Sequence, residues 1–563
     1  MDQQQDRQQA TRLSGSASPT SPAMACYYVH PLLAGPLRDW GTLLDRVAKW
    51  GFSHIVVAPP FRARSVLLAE TFDAPHPVLG WDDDAASGLR VLDATCRARG
   101  LHWILDVVLD RVAADGPIAR AHPDLFLSSP TDVVDPRRGE PFAAARIDAG
   151  EALAQWWSDR LREWRDTGAD GFRLLGLERT PGDVVRQIIA DTRQGAPGCT
   201  FLGWTDKLSG DALNDFVGCG LDRTSQSLTG WDFASGWFFD RLDQLARIAP
   251  ALVSVEAPFD RRVATTIADP VQLPAALRRG VAAAAALGDG WLMPMGFEYG
   301  TPIVMDPCRS MPGDLEGQPI IEPETRAANA NLPSGPVRAL AAPGLTIPAF
   351  LRGSGPNRKL VLINPDLVWA RMVQPAQAAA MVGGEPPEPV TLQPGEVRTL
   401  AIAAAPPICR GREPRPAGAA KAAGAGRIAL ERIEPAVDAG RFAAKRTLGE
   451  WVTVEADVIC DGHDQLAAVI QWRPQDQPEW REARMTPLGN DRWRGRFLLS
   501  RVGRYLFRVQ AWRDAFATFR DELAKKTAAG VNLRLELIEG RALVQKAAER
   551  HSGLANFLTA LEG

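Results

Sequence analysis

The sequence has no Cys-x-x-Cys pair and no grouping of Cys with His. Its seven cysteines are scattered singly from Cys26 to Cys460, so it offers neither a zinc site nor a disulfide framework, and a cytoplasmic, reducing setting is expected. It has no apolar stretch of transmembrane length, so no membrane partner is expected. Residues 1–25 are rich in Gln, Ser and Thr and have no apolar core, so they are neither signal peptide nor membrane span; a disordered N-terminus is expected there. No basic field is present: the net charge is −3, and no nucleic-acid partner is expected. Tyrosine is scarce, with 4 Tyr against 17 Trp. Tryptophan faces stack on sugar rings, but they also fill cores, and core filling is the default for most of them.

What is there is ordinary globular material. Apolar residues make up 45% and charged residues 23% of 563, enough for about three domains. From Cys26 to about Tyr299, short apolar runs alternate with helical patterns. The runs are Tyr27-Tyr28-Val29, His54-Ile55-Val56-Val57, residues 103–108, Phe172-Arg173-Leu174-Leu175, Phe201-Leu202-Gly203-Trp204, Leu252-Val253-Ser254-Val255 and Trp291-Leu292-Met293-Pro294. Ahead of Asp170-Gly171-Phe172-Arg173 lies a helix with Leu153, Trp157, Leu161 and Trp164 on one face. Buried strands alternating with helices over this length predict a (β/α)8 TIM barrel spanning 26–340, including a Pro/Gly-rich surface extension after about 305. A doubly wound open sheet is the other arrangement considered, but no Gly-x-Gly-x-x-Gly follows the first strand. Residues 341–405 read as a small β-sandwich. Residues 406–426, of Pro, Ala, Gly and Arg, read as a linker.

Residues 427–538 read as an immunoglobulin-like β-sandwich. Val452, Val454, Ala456 and Val458 alternate with polar neighbours, as do Tyr505, Phe507, Val509 and Ala511. Turns are expected at Asp461-Gly462 and Gly489-Asn490-Asp491. A helical tail is expected over 539–563.

Several of these segments carry a resemblance. Residues 48–61, Leu105-Asp106-Val107-Val108-Leu109-Asp110-Arg111, Asp170-Gly171-Phe172-Arg173-Leu174-Leu175, Phe201-Leu202-Gly203-Trp204 and Met295-Gly296-Phe297-Glu298-Tyr299-Gly300 stand in the order of the α-amylase superfamily's motifs. The barrel therefore resembles glycoside hydrolase family 13. Residues 428–543 resemble the N-terminal domain of the α-1,4-glucan:maltose-1-phosphate maltosyltransferases, through residues 433–441, 462–464, 490–493, 503–505 and 511–518. In that family the domain packs beside the catalytic barrel and helps build the dimer. His122-Pro123-Asp124-Leu125-Phe126 and Ser225-Gln226-Ser227 resemble further pieces of the same enzyme, so its parts occur here in an unusual order.

A retaining glycosidase or transglycosylase needs two carboxyl groups, one to attack the anomeric carbon and one to protonate the leaving oxygen. The resemblance puts the nucleophile two residues after Arg173, where the sequence has Leu175, and the acid/base at Trp204. Asp206 lies two positions beyond. The third carboxylate of the set would follow Val255, and Asp260 takes that place if one residue is inserted. No catalytic residue is assigned. The candidate substrate-binding set is Asp106, Arg173, Trp204 and Asp260. Asp106 and Arg173 read either as sugar and anion contacts or as an inherited structural ion pair. Trp204 reads either as a sugar platform or as filling for the space the carboxylates left. Glu178 and Glu256 are a conceivable replacement pair, and Glu298 a packing and hydrogen-bonding residue. His30, His76 and His122 sit in loop-like contexts and read as solvated or structural.

No metal or organic cofactor is called for, although the family sometimes binds calcium. The resemblance implies an α-glucan, maltose-1-phosphate pathway protein with a catalytically degenerate barrel. It would bind malto-oligosaccharide or α-glucan, form a homodimer, or assemble with a maltosyltransferase. The alternative is an active glycosyl hydrolase or maltosyltransferase, or the front part of one.

Overall fold

The computed structural model describes residues 23–81, 83–128, 142–340, 347–354, 358–385, 387–409, 428–438 and 440–549. Most of the expected disordered terminus and linker lie outside these residues. The described residues fall into two compact units, within Met1–Pro375 and Glu388–Ile402, and within Ala376–Pro387 and Ala403–Gly563.

The first unit is an eight-stranded parallel barrel. Its strands are β1 (Met24–Val29), β2 (His54–Val57), β3 (His102–Val108), β4 (Gly171–Leu175), β5 (Thr200–Gly203), β6 (Thr224–Ser227), β7 (Ala251–Ser254) and β8 (Gly290–Pro294). Hydrogen-bonded neighbours run β5-β4-β3-β2-β1-β8-β7-β6. The ring is joined between β5 and β6 by the parallel bridge of Leu202 with Arg223. Seven of the eight strands coincide with the apolar runs. β1 takes in Met24 and Ala25, both buried, so the disorder expected as far as residue 25 does not hold for these two. The strand missing from the apolar runs, β6, is Thr-Ser-Gln-Ser and is buried throughout.

Helices α1 (Trp40–Lys49), α2 (Ala85–Arg97), α3 (Gly150–Asp166), α4 (Gly182–Arg193), α5 (Trp237–Leu245) and α6 (Leu273–Leu287) alternate with the strands. Leu153, Trp157, Leu161 and Trp164 of α3 are all buried, as their spacing requires. Trp40, Trp50, Trp103, Trp157 and Trp291 are among the largest fully buried side chains, so these tryptophans are core material. A short antiparallel sheet of Arg111–Ala113, Phe126–Ser128 and Phe142–Ala145 is inserted between β3 and α3.

A four-stranded antiparallel sheet follows: β9 (Val337–Ala339), β10 (Ala349–Arg352), β11 (Lys359–Ile363) and β12 (Val397–Ala401). β9 lies in the stretch expected as surface extension, and pairing with β10 draws it into the sheet. Phe350, Val361 and Ile363 join the barrel's buried core. The ring of Phe350 stacks on Phe239 of α5, with centroids 4.3 Å apart. The chain then leaves this unit at Ala376 and returns at Glu388. The excursion carries a helix, Ala376–Met381, into the second unit, although the small sandwich was expected to be continuous over 341–405. Gly449, at φ 80°, receives this helix: a Cβ there would stand 2.1 Å from the Met381 carbonyl oxygen.

The second unit is a sandwich of two antiparallel sheets. One contains β13 (Ile428–Glu434), β14 (Trp451–Cys460), β17 (Thr486–Gly489) and β18 (Arg492–Leu498). The other contains β15 (Leu466–Pro474), β16 (Arg481–Arg484) and β19 (Tyr505–Arg513). Val452, Val454, Ala456 and Val458 meet Ile470, Phe497 and Val509 between them. Asn490 and Asp491 turn the β17–β18 hairpin with positive φ at both residues, 47° and 61°, the conformation that matches strand twist. Beyond β19 come two helices, α7 (Ala515–Ala528) and α8 (Arg534–Ala548). The tail is thus helical from 515 rather than 539. Asp514 caps α7, its Oδ1 accepting from the Ala517 N–H at 2.9 Å, and this ends the strand pattern. Among the described residues no helix is long and apolar enough to cross a membrane.

Candidate functional site at the barrel mouth

Parallel barrels place chemistry at the C-terminal ends of their strands. Here Asp106 of β3 and Arg173 of β4 are register partners, so both side chains leave the sheet on the same face. Arg173 Nε donates to Asp106 Oδ1 and Nη2 to Oδ2, both at 2.7 Å. The Tyr28 hydroxyl of β1 adds a third bond, to Oδ2, at 3.0 Å. Asp106 is 0% and Arg173 2% exposed. The guanidinium lies over two aromatic rings, Tyr28 at 4.7 Å and Trp204 at 4.8 Å from its carbon to the centroid. A desolvated contact of this kind is worth about 2 kcal/mol.

Burial pushes the Asp106 carboxyl above its ordinary value, against the opposing pull of Arg173 and Tyr28. Desolvation likewise works against the Arg173 charge, but Asp106 overcomes it and holds the guanidinium above its usual value. The parallel two-bond geometry is that of a charged pair.

Leu175 stands two residues beyond Arg173 and so shares its face. It is 1% exposed. The chain then turns through Gly176 at φ 80°, where any Cβ would lie 2.1 Å from Asp110 Oδ1. Asp110 is itself buried and accepts from Arg111 Nε at 2.8 Å. Trp204 follows β5, tied back by its N–H to the Leu174 carbonyl at 2.9 Å. Its ring stacks on Phe259, with centroids 6.3 Å apart and an angle of 26° between planes. Phe259 also meets His30 and Tyr28 edge-on. It holds φ 61°, a strained conformation for a bulky residue. A cleft of about 120 Å³ opens here, lined by Leu175, Glu178, Trp204, Lys207, Phe259 and Met305, among others.

The structure thus brings Asp106, Arg173 and Trp204 together and leaves Asp260 at the rim. Asp260 faces Lys207 Nζ at 3.6 Å, the two side chains 40% and 71% exposed, and rim pairs of this sort contribute little. Glu178 and Glu256 do not form a free pair. Glu256 is 2% exposed, bonded to Arg262 Nη1 at 2.5 Å and to the Val263 N–H at 2.9 Å. Glu178 is half exposed, 3.9 Å from Arg111. Glu298 is buried and accepts from Tyr27 Oη at 2.5 Å, Arg46 Nη2 at 3.0 Å and the Gly296 N–H at 2.9 Å. His30 and His76 cap short helical turns, their Nδ1 atoms accepting from Leu32 and Val78 N–H groups. His122 accepts from Trp156 Nε1 at 3.3 Å.

Sequence reasoning weighed Asp206 without assigning it and passed over Phe259 and Lys207. Asp206 is half buried, accepts from the Ser225 hydroxyl and adds to the field that holds Arg173 charged. Its place two residues beyond Trp204 was visible. Phe259 and Lys207 gave no signal, since a positive φ and a rim position are tertiary properties. Among the described residues no group of three or more His, Cys, Asp or Glu gathers as a cation site.

The ring of strands is a parallel (β/α)8 barrel of the fold found in α-amylases. An α-amylase of Geobacillus thermoleovorans superposes on 67% of the chain and 98% of its own length at a TM-score of 0.56, with 15% identity. The rest of the relationship is more particular. Residues 426–563 match the family model described as α-1,4-glucan:maltose-1-phosphate maltosyltransferase, domain N/S. A protein of that name from Burkholderia pseudomallei (strain K96243) is 35% identical over 93% of this chain, which spans 51% of that protein. One from Myxococcus xanthus (strain DK1622) is 48% identical over 22% of this chain and 19% of its own. The chain is therefore homologous to these maltosyltransferases, and it spans about half the length of the first and a fifth of the second.

Proposed function

We propose that the barrel is a glucan-binding module without glycoside-bond chemistry, in a protein of α-1,4-glucan and maltose-1-phosphate metabolism. The observation that carries this reading is the pair of strand ends. Leu175 and Trp204 stand where the resemblance puts nucleophile and acid/base, and neither can attack a carbon or donate the required proton. Asp106 and Arg173 are fully engaged with each other behind Trp204. What faces the cleft is a pair of aromatic rings with polar groups around them, which suits a malto-oligosaccharide. Self-association belongs to the same reading. α7 and α8 expose Phe516, Leu535, Leu537 and Ile538, each at least 50% accessible, a face suited to a second copy of the chain. All seven cysteines are free thiols, which supports a cytoplasmic setting.

The test is calorimetric titration of maltose, maltoheptaose and maltose-1-phosphate, with a turnover assay on the same sample. Binding without turnover is expected, weakened by Trp204→Ala. Turnover abolished by Glu256→Gln or Asp206→Asn would overturn the reading.

A second reading is favoured by one specific observation, the 51% span of the Burkholderia protein. On that reading the chain is part of a longer active maltosyltransferase whose catalytic groups lie elsewhere. Intact-mass measurement of the native polypeptide separates the two. A polypeptide far longer than 563 residues supports the second reading, and one of that length supports the first.

A further inference from the structure

A second opening lies on the flank of the barrel, between the start of α1 and the length of α2. It is a groove of about 420 Å³, within the range of small-ligand sites. Its central feature is Trp81, in the connection between β2 and α2. The indole is pressed onto α2 at Gly88, where a Cβ would come within 1.9 Å of the ring, and its remaining surface lines the groove. A helix interior disfavours glycine by roughly 1 kcal/mol against alanine, so this position gives up helix stability to seat the ring. Trp81 Nε1 is buried and has no hydrogen-bond partner among the described residues, so the groove is offered the face of the ring and not its N–H.

The groups around the ring are of mixed kind. Arg38, Asp83, Ser87 and Arg99 line the same groove. Arg99 is positioned from two sides, Nε donating to Asp45 Oδ1 at 2.7 Å and Nη1 to the Thr95 carbonyl at 3.0 Å. Its Nη2 lies beside Gly41, where a Cβ would come within 3.2 Å. Asp84 caps α2, its Oδ1 accepting from the Ser87 N–H at 2.7 Å. Two guanidinium donors would attract a phosphate, but Asp83 and Asp84 oppose it. An aromatic surface ringed by donors and acceptors of both signs suits a neutral polyol, whose hydroxyls both give and accept bonds.

We infer that this groove is a second saccharide site, taking a short α-1,4-glucan segment against Trp81 independently of the barrel mouth. The choice of glucan rests on the function proposed above. The site itself rests on the groove.

The experiment uses the full chain labelled with 5-fluorotryptophan and followed by fluorine NMR. Trp81→Phe and Trp204→Phe identify the two resonances. Maltoheptaose is the probe, with inorganic tripolyphosphate as the anionic comparison. A saturable shift of the Trp81 resonance, retained in Trp204→Ala, is expected. Trp81→Ala should weaken binding at this site about tenfold or more, and far-UV circular dichroism of Trp81→Phe should match the parent. A Trp204 resonance that moves while that of Trp81 does not would overturn the groove and leave the proposed function standing. If maltoheptaose moves neither resonance, both ideas fail. A Trp81 shift with tripolyphosphate and none with maltoheptaose would make the groove an anion site and overturn the glucan assignment.

Discussion

Replacing Asp106 by Asn removes the counter-charge of a guanidinium that is 2% exposed while keeping the shape of the site. Both Asp106 oxygens accept from Arg173 at 2.7 Å, and an amide offers a single acceptor. The Arg173 charge would remain between Tyr28 and Trp204, out of reach of water. Breaking one half of a buried pair costs about 3–5 kcal/mol. Replacing both halves, as Asp106→Leu with Arg173→Met, removes both desolvation penalties and should bring stability to within ~1–2 kcal/mol of the parent. The assay is urea unfolding of the full chain followed by near-UV circular dichroism, a signal dominated by buried tryptophans, with maltoheptaose titration of the same samples. If the pair is structural, the single variant is strongly destabilised and the double variant is stable and binds normally. A single variant within ~1 kcal/mol of the parent would refute the buried charged bridge, since that bridge requires the larger loss. A stable double variant that no longer binds would refute the structural assignment and make the pair a sugar contact.

Two further predictions concern acid and assembly. Burial pushes His30 down to about 3 and His54 down to about 4. Both depressed values favour the neutral ring in the folded state, so their contribution is intact above the unfolded value near 6.5 and is lost as pH falls toward the folded values. At pH 5 each should cost about 2 kcal/mol, lowering the Tm of the barrel by roughly 5 °C between pH 7 and pH 5. His30→Asn, which keeps a capping acceptor for Leu32, should remove about half of that loss in differential scanning calorimetry. On the exposed face of α7 and α8, Leu535→Asp with Ile538→Asp should convert a dimer to a monomer in sedimentation velocity while leaving far-UV circular dichroism unchanged. An unchanged sedimentation coefficient would sink the self-association reading.

The barrel was legible because seven strands are apolar runs of the right length. β6 was not, because Thr224, Ser225, Gln226 and Ser227 carry no hydrophobic signal. Its polar groups are satisfied internally: Thr224 Oγ1 donates to the Ala249 carbonyl, the Ser225 N–H to Thr205 Oγ1, and Gln226 Oε1 accepts from Arg241. α7 left a readable trace in Asp514, a capping residue, but Ala515 to Thr518 had been attached to the sandwich by resemblance. The excursion of Ala376–Pro387 into the second unit has no local signature, since it depends on Gly449 meeting a helix far away in sequence. At the mouth, Asp106, Arg173 and Trp204 were named through the resemblance to the α-amylase motifs, and they meet in space because strand ends converge in any such barrel. Asp260 was placed by counting along the chain, and Phe259 beside it holds a backbone angle that no residue type there announces.

On the non-catalytic reading, the sealing of Leu175 bears on whether this barrel could acquire glycoside chemistry. A carboxylate placed at position 175 would enter a site 1% exposed, beside a guanidinium already bonded to Asp106 and covered on two faces by rings. Burial would favour its protonated form, and a protonated acid is no nucleophile. Acquiring it would therefore require opening the Trp204 stack and supplying a second carboxylate at the same time. On the non-catalytic reading, the packing at this mouth acts as an evolutionary ratchet: with the rings closed over the charge pair, single substitutions can refine what the barrel binds but cannot supply a chemistry that needs two carboxylates at once.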